Sequence, residues 1–334
     1  MAIGKQSDLT IYQAQFALGQ MENQAQATDG IVGNSGGAIV MGFNAHRGEY
    51  KYESYFNLLD DIARRDLTSV SAQTATALGD DESISVQVNR KLPLRQHNLS
   101  AFKAKGMDPN VFFQMAGRNY AQLKFADMLN TGVLALEAAL QETGNTLDKS
   151  TVGGGASLQT ISHAHLNAVT NKFGDRAQKI ATWLMHSNSV FGLTGQTLTD
   201  KIVNVADPAI KANQIFAMGR PILESDIPAL TDAAVSVNPV TYNVLGLVPG
   251  APVIEESQPD EVWIEPITGT FENLVVSYQA EYAYTITIKG FKWDVANGGA
   301  NPTDATLGTE TNWDQHSTSI KDTAGVRLKV DVST

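Results

Sequence analysis

The feature that most constrains this chain is one stretch of helical apolar periodicity, residues 108–144, far longer than the helices of an ordinary domain. Asp108 can cap the first free N–H groups, Pro109 suits the first helical position, and Gly144 can close the last turn. At 1.5 Å per residue, this helix would be roughly 50 Å long. We call it the spine helix (residues 109–143) and expect the rest of the fold to be built around it.

The spine helix has one predicted apolar face, because its large apolar residues recur in steps of three and four. The residues expected to form its core are Phe112, Tyr120, Leu123, Leu129, Val133, Leu136 and Leu140. Asp127 and Glu137 fall on the opposite face, which we expect to be solvated. Gly117 and Gly132 each weaken a helix by about 1 kcal/mol relative to alanine, so slight bending is expected there.

Composition excludes several classes of protein. The 334 residues, 43% of them hydrophobic, suffice for one large or two medium domains. The absence of cysteine rules out disulfides and cysteine-ligated metals. The N-terminus lacks the apolar core of a signal peptide, and no window approaches about 18 uncharged apolar residues. We therefore expect neither secretion by that route nor a membrane span.

Charge is unevenly distributed along the chain. The net charge of −11 argues against an ordinary nucleic-acid grip, which needs basic residues to neutralise phosphates. Residues 221–288 contain ten carboxylates and no Lys or Arg, whereas residues 83–107 contain five basic residues and no acid. Such blocks could steer the association of identical subunits, or they could be two solvated faces. Charge alone leaves both interpretations open.

Two segments before the spine helix have little core of their own. Residues 7–28 predict a polar helical arm, followed by a glycine-rich hinge at residues 30–37. Residues 49–56 and 83–90 alternate apolar and polar side chains and predict the two strands of a long flap. Because isolated hairpins are marginal in water, we expect the flap to lie on a neighbouring subunit. Between its strands, residues 57–67 look helical and residues 68–79 look like a loop.

After the spine helix, the chain predicts a mixed α/β region. Residues 157–172 and the segment following Asp175 favour helices, and the proline-rich residues 238–252 favour a loop. Two strands are predicted at residues 274–280 and 281–289, and a final short strand near residues 326–332.

Candidate chemical sites are weak. The three glycines at 153–155 could cradle a phosphate before a helix, but neither the Gly-Lys-Ser/Thr ending nor a GxGxxG pattern is present. His163 and His165 are two positions apart on a predicted helix, so they would not face one metal. His186 is predicted at a helix C-terminus, where a cation favours the dipole. No Gly-x-Ser-x-Gly elbow occurs. We expect no catalytic residue, metal or cofactor, and hence no enzyme.

A covalent link between subunits is a further option. Lys51 or Lys91 of the flap could bond to an asparagine of a neighbour, although nothing singles out such a pair. An ordinary surface lysine is the alternative reading of both.

Several segments, in their order along the chain, carry a resemblance. Residues 64–71 read RRDLTSVS, residues 171–193 read NKFGDRAQKIATWLMHSNSVFGL, residues 289–315 read KGFKWDVANGGANPTDATLGTETNWDQ, and residues 319–326 read SIKDTAGV. Together with the arm, flap and spine helix, they make the chain resemble the major capsid proteins of tailed bacteriophages, which have the Hong Kong 97 fold.

This resemblance implies an α+β capsid fold with four parts. The N-terminal arm would be residues 1–40, and the extended β-hairpin loop residues 41–97. The peripheral domain would comprise residues 98–152 and 263–334 and would contain the spine helix, and the axial domain would be residues 153–262. The arm is shorter than the scaffolding segment of many relatives, so scaffolding is expected either from a separate protein or from an arm released at the hinge.

The function implied is that of a structural major capsid protein of the virion. Identical copies would form hexamers and pentamers of an icosahedral shell around phage double-stranded DNA, without sequence-specific binding. Assembly would occur in the bacterial host cytoplasm, with scaffolding and portal proteins as partners and decoration proteins as a further option. The alternatives are a nanocompartment shell around protein cargo and, from another class, a phosphate-binding enzyme using the Gly153–Ser157 loop.

The charge blocks and the flap supply the candidate contact residues. We expect the basic residues 90–105 to dock near the acidic region 221–288 of a neighbour. The residues expected at subunit contacts are Tyr50, Tyr52, Arg64, Arg65, Arg90, Lys91, Arg95, Glu255, Glu256, Asp260 and Glu261.

Overall fold

The structure is a computed structural model, and it describes twelve stretches of the chain. They are residues 12–20, 33–56, 67–68, 80–98, 101, 105–106, 108–141, 144–150, 159–203, 216–232, 241–267 and 275–331.

The described helices differ greatly in length. They are α1 (residues 12–20), α2 (Pro109–Leu140), α3 (His163–Thr170), α4 (Ser187–Val203), α5 (Val295–Gly298) and α6 (Asp304–Leu307). Four segments are 3-10 helical: Asn171–Lys179, Pro228–Leu230, Glu310–Asn312 and Ile320–Asp322. None of these helices combines the length and hydrophobicity that a bilayer crossing requires.

The described strands include three unusually long ones, β3, β10 and β11. In chain order the strands are β1 (Val40–Phe43), β2 (Tyr50–Phe56), β3 (Asp80–Asn98), β4 (Thr146–Asp148), β5 (Thr182–Met185), β6 (Phe216–Ala217), β7 (Arg220–Glu224), β8 (Thr231–Asp232), β9 (Thr241–Leu247), β10 (Pro252–Ile267), β11 (Val275–Ile288), β12 (Phe291–Trp293), β13 (Trp313–Gln315) and β14 (Gly325–Asp331).

Helix α2 is the spine helix, and it begins as its sequence predicts. The Asp108 side chain accepts a hydrogen bond from the Asn110 N–H, and Pro109 occupies the first turn. The helix ends at Leu140, earlier than predicted, with Gln141 as its C-cap in a right-handed conformation. Gly144 is therefore not a left-handed closing residue. A Cβ at Gly144 would lie 2.5 Å from the Ile320 side chain, so close packing explains the glycine.

The predicted core of the spine helix is partly correct. Five of the seven predicted residues are buried: Tyr120, Leu129, Val133, Leu136 and Leu140. Phe112 is half-buried and makes edge contacts with the rings of Phe113 and Tyr278. Leu123 is 54% exposed, so its assignment to the core is wrong. The sheet covers a narrower stripe of the helix than the run of apolar residues suggests.

The spine helix lies on a five-stranded sheet with the order β1-β10-β11-β3-β2. Strand β11 pairs antiparallel with both β10 and β3, so β10 and β3 run in the same direction. The short strands β1 and β2 pair only with residues 253–256 of β10 and residues 80–86 of β3. We call that part of the sheet the flanked end. The unflanked end comprises residues 261–267 of β10, 275–281 of β11 and 91–98 of β3.

A second, mixed sheet has the order β4-β14-β9-β5-β7-β6, with β8 also paired to β9. Its strands come from both sides of the predicted division between the axial and peripheral segments, because β14 pairs with β9. The predicted boundary at residues 262/263 also falls inside β10. One large apolar cluster joins the two sheets through the spine helix, including Leu136, Leu245 and Ile286.

Several predicted elements differ from the observed ones in number or in type. Residues 274–280 and 281–289 were expected as two strands, but Val275–Ile288 is one continuous strand. The expected loop at residues 238–252 contains β9, whose seven residues are all buried. The expected helix after Asp175 gives way to the fully buried strand β5. These segments are short apolar runs whose form is decided by their neighbours in the sheet.

Candidate assembly surfaces

The described part of the arm packs on the spine helix of its own chain. Helix α1 buries Phe16 completely and stacks Tyr12 on Phe113, with ring centroids 4.8 Å apart. The helices cross where both lack side chains: a Cβ at Gly117 would lie 2.0 Å from the Phe16 carbonyl oxygen, and one at Gly19 2.2 Å from that of Gln114. Gly117 therefore has a packing role at this crossing.

A buried lysine of the spine helix holds two of the predicted contact residues inside the chain. Lys124 is 5% exposed, and its Nζ lies 2.9 Å from Glu256 Oε1 and 2.7 Å from Asp260 Oδ1. The Tyr120 hydroxyl donates to Asp260 over 3.2 Å. Burial, followed by the charge of Asp260, raises the pKa of Tyr120. Gln20 at the end of α1 also donates to Asp260, so the same carboxylate binds the arm.

Arg90 is likewise engaged within its own chain. Its Nε lies 3.3 Å from Asp127 of the spine helix, and its Nη2 binds Asp304. Burial alone would lower the pKa of Arg90, but its contacts with Tyr284 and these two carboxylates raise it. The hydroxyls of Tyr282 and Tyr284 also donate to Asp127, over 2.9 and 3.2 Å.

Lys51 of the flap makes a third internal ion pair. Its Nζ lies 2.9 Å from Glu53 and 3.3 Å from Glu255, and Asn44 donates to the same Glu255 oxygen over 3.0 Å. Burial alone would lower the pKa of Lys51, but hydrogen bonds and charge from the two carboxylates raise it. Both carboxylates hold the Lys51 ammonium group within its own chain, which argues against Lys51 as a covalent link.

These contacts correct the predicted docking of the two charge blocks between subunits for four residues, and the docking of the other residues stays a prediction. In register, Arg90 stands opposite Tyr282 and Lys91 opposite Glu281, so the basic and acidic segments are adjacent strands of one subunit. Four of the predicted contact residues form ion pairs within their own chain: Arg90, Glu255, Glu256 and Asp260. The paired residues Lys91 and Glu281 are 190 residues apart in sequence, and nothing local reveals that their strands pair.

Other predicted contact residues remain at the surface. Lys91, Arg95 and Glu261 are exposed at the unflanked end of the sheet. Tyr52 is 57% exposed on the flap, whereas Tyr50 is half-buried and packs against the core. Arg64 and Arg65 lie outside the described residues.

A buried ion pair at the end of the spine helix escaped sequence reasoning. Glu137 is 5% exposed, and its Oε1 lies 2.7 Å from Nη2 of the buried Arg327. Asn243 of β9 donates to the same oxygen over 3.1 Å. The prediction that Glu137 faces solvent is therefore wrong. The sequence did carry a signal for this burial, namely a polar residue within a run of apolar ones. Lys124, four positions after Tyr120, is a second polar residue of this kind.

The candidate chemical sites do not form a catalytic arrangement among the described residues. His186 precedes α4 instead of ending a helix, and its Nδ1 accepts the Asn188 N–H over 3.2 Å. His165 Nδ1 lies 3.1 Å from the Thr160 carbonyl oxygen, which holds its ring locally. No group of metal-binding side chains occurs in the described ranges. The Gly153–Ser157 loop lies outside them.

The fold matches that of known capsid proteins. A family model described as major capsid protein 13-like matches residues 8–327. The chain belongs to this family. Its major capsid role, and with it the predicted Hong Kong 97 type of α+β fold, is confirmed. No curated protein matches the sequence.

Solved structures of phage capsids share this fold at very low sequence identity. The cyanophage Pam1 capsid is similar with a TM-score of 0.55, at 9% identity over 86% of both chains. The capsid of Helicobacter pylori bacteriophage KHP30 has a TM-score of 0.53, at 9% identity over 89% of this chain and 88% of that chain. For the capsid of Ralstonia phage GP4 the TM-score is 0.52, at 10% identity over 90% and 88%.

The major capsid family assigns this chain a structural role in an oligomeric shell of the virion.

Proposed function

We propose that identical copies of this chain form the hexamers and pentamers of a closed icosahedral shell around phage double-stranded DNA. The observation that carries the proposal is the family match over residues 8–327, together with a fold shared with phage capsids over most of its length. The chain acts as a building element and carries out no catalysis.

The segments of the subunit have different roles in the proposed shell. The spine helix stiffens the subunit, and the extended loop at residues 41–97 reaches a neighbour. Residues 153–262 form the axial part around five-fold and six-fold centres, and residues 98–152 and 263–334 form the peripheral part. Contacts of this head-to-tail kind close into rings when the rotation between neighbours permits.

Assembly takes place in the cytoplasm of the bacterial host, with a separate scaffolding protein and a portal, and decoration proteins as optional partners. The net charge of −11 supports a shell that encloses DNA without binding it tightly.

The test is to express the chain alone and with its neighbouring phage head genes, and to purify the particles by sedimentation. Closed icosahedral particles in negative stain, containing DNA when a complete head is made, are the expected result. Particles that hold protein cargo and lack a portal vertex would support a nanocompartment and contradict the DNA shell. A chain that stays monomeric and binds nucleotides would support the phosphate-binding enzyme.

A further inference from the structure

The unflanked end of the five-stranded sheet has two exposed edges of opposite charge. On the β10 edge, Glu261 and Glu265 are exposed, and on the β3 edge, Lys91 and Arg95 are exposed. No other described strand pairs with these parts of β10 and β3. The two edges are separated only by the width of β11.

Each edge also carries a large exposed apolar side chain between its charges. Trp263 on β10 is 63% exposed, and Leu94 on β3 is 56% exposed. Tryptophan is the residue type most enriched at the energetic centres of protein interfaces. An exposed tryptophan between two carboxylates, with its indole N–H donating to Glu265 over 3.4 Å, marks this edge as a contact surface.

The strand register places these residues at matching heights on the two edges. Lys91 and Glu261 both stand opposite Glu281 of β11, so they are level with each other. Trp263 stands opposite Gln279, which faces the β-bulge containing Leu94.

The second basic residue of the β3 edge lies one position from the height of Glu265, which is level with Gln96. Arg95 stands opposite Tyr278, which pairs on its other side with Ile264, the residue before Glu265. The order along β3 is therefore basic, apolar, basic, and the order along β10 is acidic, apolar, acidic.

Because β10 and β3 run in the same direction, two copies placed side by side in one orientation bring matching heights together. We infer that the β10 edge of one subunit docks against the β3 edge of the next, in a head-to-tail contact that rests on the proposed shell. Glu261 then meets Lys91 and Trp263 meets Leu94, while Glu265 comes within one residue of Arg95. This one arrangement brings opposite charges and the two apolar residues together.

The edges also indicate what kind of contact this is. Pro93 has no N–H to donate, and the Asn89 N–H is already bound by the Asn301 side chain over 2.9 Å. Backbone pairing along the β3 edge is therefore interrupted, so the subunits meet through side chains.

Reversing the charges of one edge tests this contact, and reversing the charges of both edges should restore it. One variant combines Lys91→Glu with Arg95→Glu, a second combines Glu261→Lys with Glu265→Lys, and a third combines all four substitutions. The four-fold variant restores complementary edges with their signs exchanged. A control reverses an exposed carboxylate outside the flap and both edges, Asp314→Lys.

Assembly is measured by sedimentation velocity and particle counts in negative stain, and folding by the melting temperature of the unassembled chain. We expect each two-fold edge variant to raise the protein concentration needed for assembly at least about tenfold, most strongly at low salt. The four-fold variant and the control should stay within about threefold of the native chain. All variants should melt within a few degrees of it, because the substituted side chains are exposed.

Trp263→Gln, with all charges intact, is an independent test that should weaken assembly without lowering the melting temperature. Edge variants that assemble like the native chain, or a four-fold variant that fails to recover, would overturn the edge contact alone. A native chain that never forms particles would contradict the proposed shell itself, and the edge contact with it.

Discussion

The two ends of the five-stranded sheet use the same kinds of side chain differently. At the flanked end, Lys51 pairs with Glu255, and the buried Lys124 pairs with Glu256 and Asp260. At the unflanked end, the charged residues of β3 and β10 remain exposed on opposite edges. Both ends draw their carboxylates from the same acidic block of the sequence, residues 221–288. Membership of a charged block therefore does not distinguish a residue that holds the fold from one that meets a neighbour.

The largest difference between the two ends should appear when one lysine is replaced at each. Lys124→Met removes the cation from two largely buried carboxylates, and we expect a loss of about 3–5 kcal/mol in the free energy of unfolding. Lys91→Met, at an exposed position, should change it by at most about 0.5 kcal/mol. Urea unfolding of the unassembled chain measures both. Equal losses would remove the distinction between the two ends.

The docking of the arm gives an intermediate effect. Gly117→Ala places a methyl group against the Phe16 backbone, and we expect it to cost about 1–3 kcal/mol and to displace α1. Gly195→Ala is the matched control, because it is a helical glycine with no atom near the added methyl, and it should stabilise by about 0.5–1 kcal/mol. Hydrogen exchange at residues 12–20 reports the displacement. Unchanged protection in Gly117→Ala would show that α1 does not depend on this crossing.

The smallest expected effect is a difference in the free energy of unfolding between variants of two glutamates in strand β10. Glu261 stands directly opposite Glu281, so Glu261→Gln should stabilise the unassembled chain by a few tenths of a kcal/mol. Glu255→Gln weakens the contacts with Lys51 and Asn44 and should destabilise it by up to about 1 kcal/mol. Thermal unfolding at low salt compares them. If Glu261→Gln stabilises the chain and also weakens assembly, its charge serves the neighbour and not the fold.

Local signals predicted some of this fold well. Asp108 and Pro109 mark the start of the spine helix because capping depends on adjacent residues. The flap strands were recognised because their side chains alternate in character. Their register, with Tyr50 opposite Val86, joins them into one hairpin.

Long-range pairing accounts for what the sequence could not reveal. Leu123 and Glu137 sit on the faces of the spine helix opposite to those predicted, since burial there depends on where the sheet and β14 lie. Glu256 and Asp260 were assigned to a neighbour because their partner, Lys124, is more than 130 residues away. The contact surface became visible only once the register set Lys91 level with Glu261.

Cryo-electron microscopy of assembled native particles shows whether identical copies close a shell through complementary sheet edges. The predicted result is a closed icosahedral particle in which Trp263 of each subunit packs against Leu94 of the next, with Glu261 beside the neighbour's Lys91. Particles in which both edges face solvent would contradict the edge contact. Preparations without closed particles would contradict the shell.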